Sequence, residues 1–297
     1  MKILLFGKNG QIGWELQRAL APLGELVAYG HNAAQGLAVD LADAEALRAV
    51  VRAVEPDLIV NAAAYTAVDK AESDKEKVDR VNAQACEIMA QEAKALGAWF
   101  VHYSTDYVFS GQGCEPWKET DLVAPLNQYG RSKAAGEQAI IQSGCQYLIF
   151  RTSWVYAQRG NNFAKTMLRL ARERKELNVV SDQVGAPTAA DLIADVTVLA
   201  VQKALVNSDL IGIYHLAAEG ETTWYSYASY IFDFARENGE DLVVSTVNPV
   251  DSSSYPTPAR RPMNSRLDTR KLRERFSVHL PSWQSGLDRV LGEILGK

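Results

Sequence analysis

The chain has 297 residues, with 36 acidic and 31 basic side chains, a formal net charge of −5, 47% hydrophobic residues and 23% charged ones. That composition excludes a disordered or collagen-like chain. The negative balance argues against nucleic acid as a main partner, because such binding is driven by neutralising phosphates.

Taken in chain order, Ile3-Leu4-Leu5-Phe6 is a short continuous apolar run ending at Gly7, as expected of a strand buried on both faces. From Trp14, apolar residues recur at Leu16, Leu20 and Leu23 with near-helical spacing. Leu26 to Tyr29 reads as a strand, Asp43 to Val54 as a helix, Leu58 to Val60 as a strand and Val81 to Lys94 as a helix. The strand Trp99 to Tyr103, a helix opening near Tyr129 and the strand Tyr147 to Phe150 continue the alternation. This order predicts an α/β fold with a doubly wound parallel sheet. Beyond about residue 180 the rhythm changes: helices over Ala190–Leu205 and Tyr225–Asn238 flank a strand at Ile213–Leu216, and the loop Tyr255-Pro256-Thr257-Pro258 follows. The chain therefore divides into a dinucleotide-binding domain over 1–180 and a smaller, mainly substrate-binding lobe over 181–297, with segments crossing between them.

Cys86, Cys114 and Cys145 are far apart and odd in number, poor material for a disulfide framework or a zinc site. Asp195 and Lys203 interrupt the apolar stretch Asp191–Leu205, short of the ~18 apolar residues a membrane span needs. The opening Met1-Lys2-Ile3 shows no ordered secretory leader. A cytoplasmic protein without a membrane partner is expected.

Gly7-Lys8-Asn9-Gly10-Gln11-Ile12-Gly13 sits between the first strand and the first helix. Gly7 suits the tight turn, Gly10 an approaching pyrophosphate and Gly13 close helix–sheet packing. The helix N-terminus offers free N–H groups to phosphate. The spacing is GxxGxxG rather than GxGxxG, and its place at the first βα junction is what favours dinucleotide binding. The end of the second strand, Tyr29-Gly30-His31-Asn32, lacks the carboxylate that would hold the adenosine ribose. That leaves room for a 2′-phosphate facing Lys8 or His31, so NADPH, or both NADPH and NADH, is expected. Asp40 reads equally as an adenine contact or as a helix N-cap.

Tyr129 and Lys133 stand four residues apart, on one face if helical. A nearby cation favours the ionised phenol. Tyr103-Ser104-Thr105-Asp106 is a hydroxyl-rich step after a buried strand, and Asn61-Ala62-Ala63-Ala64 ends the neighbouring strand with small side chains that leave room for a nicotinamide.

Together these residues resemble the extended short-chain dehydrogenases/reductases, and within them the dTDP-4-dehydrorhamnose reductase family. The resemblance runs through GKNGQIGWEL (7–16), NAAAYTAVDKAE (61–72), VHYSTDYVF (101–109), YGRSKAAGE (129–137), RTSWVYA (151–157), NNFAKTM (161–167), DQVGAPT (182–188) and RPMNSRLD (261–268). It implies that Tyr129 protonates the C4 oxygen of a dTDP-linked 4-keto-6-deoxy sugar as hydride arrives. Lys133 would hold the nicotinamide ribose and depress the tyrosine pKa, and Thr105 would hydrogen-bond the reacting oxygen. Asp106 and Trp154 would hold the sugar, and Asn161, Asn162 and Phe163 its nucleotide part. Gly7, Gly10, Gln11, Ile12, Gly13, Asp40, Leu41, Ala63, Ala64, Thr66 and Tyr103 would line the cofactor. It implies too a homodimer with Mg²⁺ at the interface on Glu15, Asp191 and Glu293, although Asp191 stands where the family has Glu. The product would feed cell-surface polysaccharide synthesis, lipopolysaccharide included.

Two rivals share the fold. A dehydratase usually carries Asp-Glu after the Thr, whereas Asp106 is followed here by Tyr107; an epimerase or a reductase of another nucleotide sugar is the runner-up. A non-catalytic regulatory subunit would show damage to the Thr/Tyr/Lys set, which is intact. Arg260, Arg261, Arg266, Arg270, Lys271, Arg273 and Arg275 form a local basic segment. Arg261 or Arg266 suits a diphosphate clamp, while Arg270 to Arg275 read better as a solvated helix face. Trp14, Trp99, Trp117, Trp224 and Trp283 read as packing anchors, and His102 and His215 as hydrogen-bonded structural histidines.

Overall fold

In a computed structural model that describes residues 1–297, the apolar runs become strands of one six-stranded sheet. The first half gives β1 (Lys2–Phe6), α1 (Gln11–Leu20), β2 (Glu25–Tyr29), α2 (Ala44–Val54), β3 (Leu58–Asn61), α3 (Val68–Ala71), α4 (Lys75–Asp79), α5 (Ala85–Leu96), β4 (Trp99–Thr105), α6 (Gln128–Ser143) and β5 (Gln146–Thr152). A π-helical segment, Arg80–Gln84, joins α4 to α5. The second half adds β6 (Val155–Tyr156), α7 (Phe163–Glu173), β7 (Glu176–Val180), β8 (Val184–Gly185), β9 (Thr188–Ala189), α8 (Ala190–Val206), β10 (Gly212–His215), β11 (Thr222–Thr223), α9 (Trp224–Glu237), β12 (Thr246–Val250), α10 (Arg270–Phe276) and α11 (Trp283–Leu295).

The sheet order is β10-β5-β4-β3-β1-β2 and every pairing in it is parallel. Both faces are covered, which is why its strands read as continuous apolar runs. Ile3 and Leu5 face α1, α8 and α10 through Leu16, Leu20, Ile193 and Phe276. Leu4 and Phe6 face α2, α5 and α6 through Leu47, Val51, Met89 and Ile140. A third core belongs to the small lobe, where Tyr156, Leu168, Leu177, Tyr227, Ile231, Trp283 and Leu287 come together.

Residue 180 is not where the chain changes cores. Residues of β6, α7 and β7 already pack in the small lobe, and α8 and β10 return to the sheet. The reason is that β10 extends the sheet beyond β5, and a parallel neighbour must enter from the same end after a crossover. The β7–β12 pair, α7 and α11 had no counterpart in the sequence reading.

The switch point of the sheet lies between β1 and β3. The loops leaving their carboxyl ends, from Gly7 and from Asn61, therefore meet over one crevice.

Candidate active site

Two of the three loop glycines are demanded by packing. Gly7 has φ +88°, and a Cβ there would lie 2.6 Å from the Ala63 nitrogen; a Cβ on Gly13 would lie 2.0 Å from the Gly7 carbonyl oxygen. Gly10 is exposed and meets nothing closer than 3.4 Å. It is the N-cap of α1 without a side-chain cap, so the first N–H groups, at Gln11 and Ile12, are left for an incoming anion. Beside this loop a cavity of about 220 Å³ is lined by Gly7, Gly30, His31, Asp40, Leu41, Ala63 and Ala64. Lys8 lies beside the lining residue Gly30, with its Cε 3.3 Å from where a Cβ there would sit. Asp40 is no helix N-cap: its carboxylate accepts the Ala42 N–H at 3.0 Å, and Asp43 caps α2. Thr66 is exposed beyond the cavity.

Asn127 caps α6 by accepting the Gly130 N–H at 2.8 Å, which starts the helix so that Tyr129 and Lys133 share a face one turn apart. The Tyr107 ring stands edge-on to Tyr129 at 5.6 Å. Burial pushes the Tyr129 phenol above its ordinary value, the charge of Asp106 adds to this, and a hydrogen bond with Thr105 opposes it. Lys133 is turned away from this phenol. Its Nζ is turned to His102 Nε2 at 2.9 Å and donates to the Tyr103 carbonyl at 2.7 Å. Thr105 donates to Asp106 at 3.0 Å. Burial raises the Asp106 carboxyl to about 6. The Tyr103 side chain turns away from the crevice and pairs with Thr197 at 2.8 Å, so only its backbone faces the site.

A larger cavity of about 1030 Å³ opens beside Tyr107 and runs under the small lobe, past Phe163, Gln183, Trp224, Tyr255, Arg260 and Arg261. Arg261 donates to Asp69 at 2.6 Å on its wall. Trp154 is not on that wall. It has φ +49° and stacks on Trp224 with ring centroids 3.5 Å apart, so it supports Trp224, which does face the cavity. Asn162 is turned to structural work, capping α7 at Lys165 and donating to Gln11 Oε1 at 2.9 Å. Asn161, beside it, is exposed. Arg266 is paired with Glu221 on a separate cavity of about 540 Å³, away from Tyr129. Arg270, Lys271, Arg273 and Arg275 lie exposed on α10.

Sequence reasoning missed Trp224, which read as a packing anchor, and also Tyr107, Gln183 and Tyr255. Only Tyr107 carried a signal, being adjacent to Thr105-Asp106. Trp14 is no core anchor either; it is half exposed, with the Arg159 guanidinium 3.9 Å above its ring.

The three carboxylates expected to hold Mg²⁺ do not fit one. Arg289 is ion-paired with both Asp191 and Glu293, and Glu15 faces Arg18 at 3.7 Å. Guanidinium groups thus supply the positive charge that a cation would bring, and no group of three metal-ligating side chains forms.

The family model described as RmlD substrate binding domain matches residues 1–295. The dTDP-4-dehydrorhamnose reductase of Escherichia coli (strain K12) is 55% identical over 294 residues, covering 99% of this chain and 98% of that protein. The enzyme of the same name from Burkholderia thailandensis is 45% identical and covers 100% of both chains. Among solved structures, the dTDP-4-dehydrorhamnose reductase of Bacillus anthracis in complex with NADP superposes with a TM-score of 0.87 at 35% identity, covering 98% of this chain and 99% of that one.

Proposed function

The chain belongs to the RmlD substrate binding domain family, and on that premise we propose that it reduces the C4 keto group of dTDP-4-dehydro-L-rhamnose to give dTDP-L-rhamnose. The observation that carries this is the cluster of Tyr129 with Thr105 and Asp106, packed edge-on against Tyr107, which itself lines the large cavity. A nicotinamide cofactor, NADPH or NADH, supplies the hydride when bound. The N–H groups at the start of α1 would hold its diphosphate, and the cavity at Asp40, Leu41 and Ala63 would hold its adenosine. Lys8 and His31 at the rim suit a 2′-phosphate. The NADP-bound relative supports the phosphorylated form.

Tyr129 carries its proton on the phenol oxygen, because burial and the Asp106 charge keep it from ionising. It would give that proton to the C4 oxygen while a bound nicotinamide would supply hydride to C4, so that the carbonyl would become a hydroxyl and the phenolate left behind would be reprotonated. Thr105 orients the same oxygen, and Lys133, once freed from His102, takes the nicotinamide ribose. Phe163 and Trp224 on the wall of the large cavity would take the thymine ring of the sugar nucleotide, and Arg260 and Arg261 its diphosphate. Tyr107, where a dehydratase would place its second carboxylate, offers no carboxylate base to take a proton from a sugar carbon, and burial raises its phenol to about 12. The missing elimination chemistry favours simple reduction.

No helix is long and apolar enough to cross a membrane, in keeping with a cytoplasmic place in polysaccharide precursor synthesis. The test follows NADPH and NADH absorbance with freshly generated dTDP-4-dehydro-L-rhamnose. One reduced cofactor consumed per sugar is expected. Interconversion without net oxidation would make the chain an epimerase instead. Tyr129→Phe, which keeps the ring but removes the proton, is expected to lose about 10²- to 10⁴-fold in turnover while still binding cofactor.

A further inference from the structure

Behind the site, Lys133 ends a buried chain of hydrogen bonds that the reduction itself does not use. Its Nζ meets His102 Nε2 at 2.9 Å. On the other side of the imidazole, Asn61 Nδ2 lies 3.3 Å from His102 Nδ1 and 3.6 Å from Cys86 Sγ. Lys133, His102, Asn61 and Cys86 are all at most 1% exposed, so their hydrogens must be accounted for among themselves.

The shorter contacts set the accounting, since Cys86 Sγ lies farther off, 3.8 Å from either imidazole nitrogen. Asn61 Oδ1 accepts the Ala63 N–H at 3.1 Å, which leaves Nδ2 facing His102 and Cys86 with one hydrogen for each. Cys86 gives its own hydrogen to the Asn82 carbonyl at 3.2 Å, so its sulfur accepts. His102 Nδ1 is then an acceptor, the imidazole hydrogen sits on Nε2, and Nε2 donates to Lys133. Only a neutral amine has the lone pair to accept it; an ammonium has three donors and no acceptor. The remaining Lys133 hydrogens serve the Tyr103 carbonyl at 2.7 Å and the crevice.

We propose that His102, its tautomer fixed by Asn61, is a positioning residue that holds Lys133 as a free amine in the cofactor-free protein, and that cofactor binding draws Lys133 off His102 and protonates it. The inference rests on the cofactor site proposed above. One proton passes from solvent to the Nζ lone pair and no other bond changes. The ammonium then has no place on a donating Nε2, and must turn its third hydrogen to acceptors on the cofactor ribose. The groups facing Lys133 balance accordingly. Burial beside His102 on β4 disfavours its charge, whereas Cys86 on α5 and Glu137 on α6 favour it. Lys133 is thereby poised to become cationic only when the cofactor has arrived.

Two measurements test this. In the cofactor-free protein, nitrogen NMR of labelled histidine should find His102 protonated on Nε2 and bare on Nδ1; the opposite tautomer overturns the proposal. Calorimetry of NADPH binding at a pH of about 8.5, above the titration of histidine and of a 2′-phosphate, is run in buffers of different ionisation enthalpy. Uptake approaching one proton per site is expected. In His102→Gln, whose amide oxygen accepts from an ammonium, uptake should fall toward zero while NADPH still binds. Binding with no proton uptake by the unaltered protein, or equal uptake in the variant, sinks the proposal. If NADPH fails to bind at all, the cofactor assignment fails instead, and the tautomer measurement still judges the role of His102.

Discussion

Asp106 sets stability against function within one side chain. Its folded-state pKa, about 6, lies above the ordinary carboxylate value because burial disfavours the charge. The native protein therefore binds more protons than the unfolded chain between pH about 4 and 6. Stability falls as pH rises through that window, and the full cost, about 3 kcal/mol at most, is present above it. Asp106→Asn keeps the shape and removes the charge. It is expected to unfold at a higher temperature than the parent at pH 7, with the difference shrinking below pH about 4, while affinity for the sugar nucleotide drops. An unchanged melting temperature at pH 7 would show that Asp106 is solvated and free to ionise in the native state. Which residue types matter near Asp106 was legible from Tyr103-Ser104-Thr105-Asp106 following an apolar run. That Tyr103 turns to Thr197, and that Lys133 rests on His102, was not: side-chain direction depends on neighbours brought from β4, α6 and α8.

At the scale of elements, the β1–α1 junction separates two uses of glycine. Gly13→Ala would drive a methyl into the Gly7 carbonyl 2.0 Å away, so the loop must open and both folding yield and cofactor affinity should fall. Gly10→Ala meets only an ordinary contact at 3.4 Å. It should fold with a melting temperature near the parent's yet bind NADPH more weakly, because its methyl stands where the diphosphate approaches. Thermal melts with cofactor titrations on the two variants separate these outcomes. The packing of α6 on β5 carries a second device: Arg151 and Glu137, 2% and 1% exposed, form a two-bond ion pair at 2.9 and 2.6 Å. Glu137→Gln would leave a buried guanidinium without its counter-charge, at an expected cost of about 3–5 kcal/mol in denaturant unfolding. Neither residue drew attention in the sequence, since a buried pair 14 positions apart has no periodic signature.

Across the whole molecule, the glycine loop and the small lobe are tied directly. Asn162 reaches Gln11, and Arg159 lies over Trp14 while donating to the Asn9 carbonyl at 3.4 Å. The cofactor loop and the start of α7 are thus coupled in position. The opposite surface of α1 and α8 is closed by arginine–carboxylate pairs, so prolonged treatment with a metal chelator is expected to leave turnover unchanged. A loss restored by Mg²⁺ would mean that Arg289 yields its place to the ion.

By itself the sequence determined the parallel sheet, the glycine loop after β1 and the Tyr129-Lys133 pair. These rest on local patterns: continuous apolar runs for strands buried on both faces, a glycine wherever φ must be positive or a helix must close on a turn, and helical spacing that puts two side chains on one face. Tertiary structure alone decided which core each later segment joins, that Trp224 rather than Trp154 walls the large cavity, that Arg289 stands among the carboxylates of α8 and α11, and that Lys133 rests on His102. Each of these depends on groups distant in the chain competing for the same space, charge or hydrogen. Such competition is resolved only when the chain has folded.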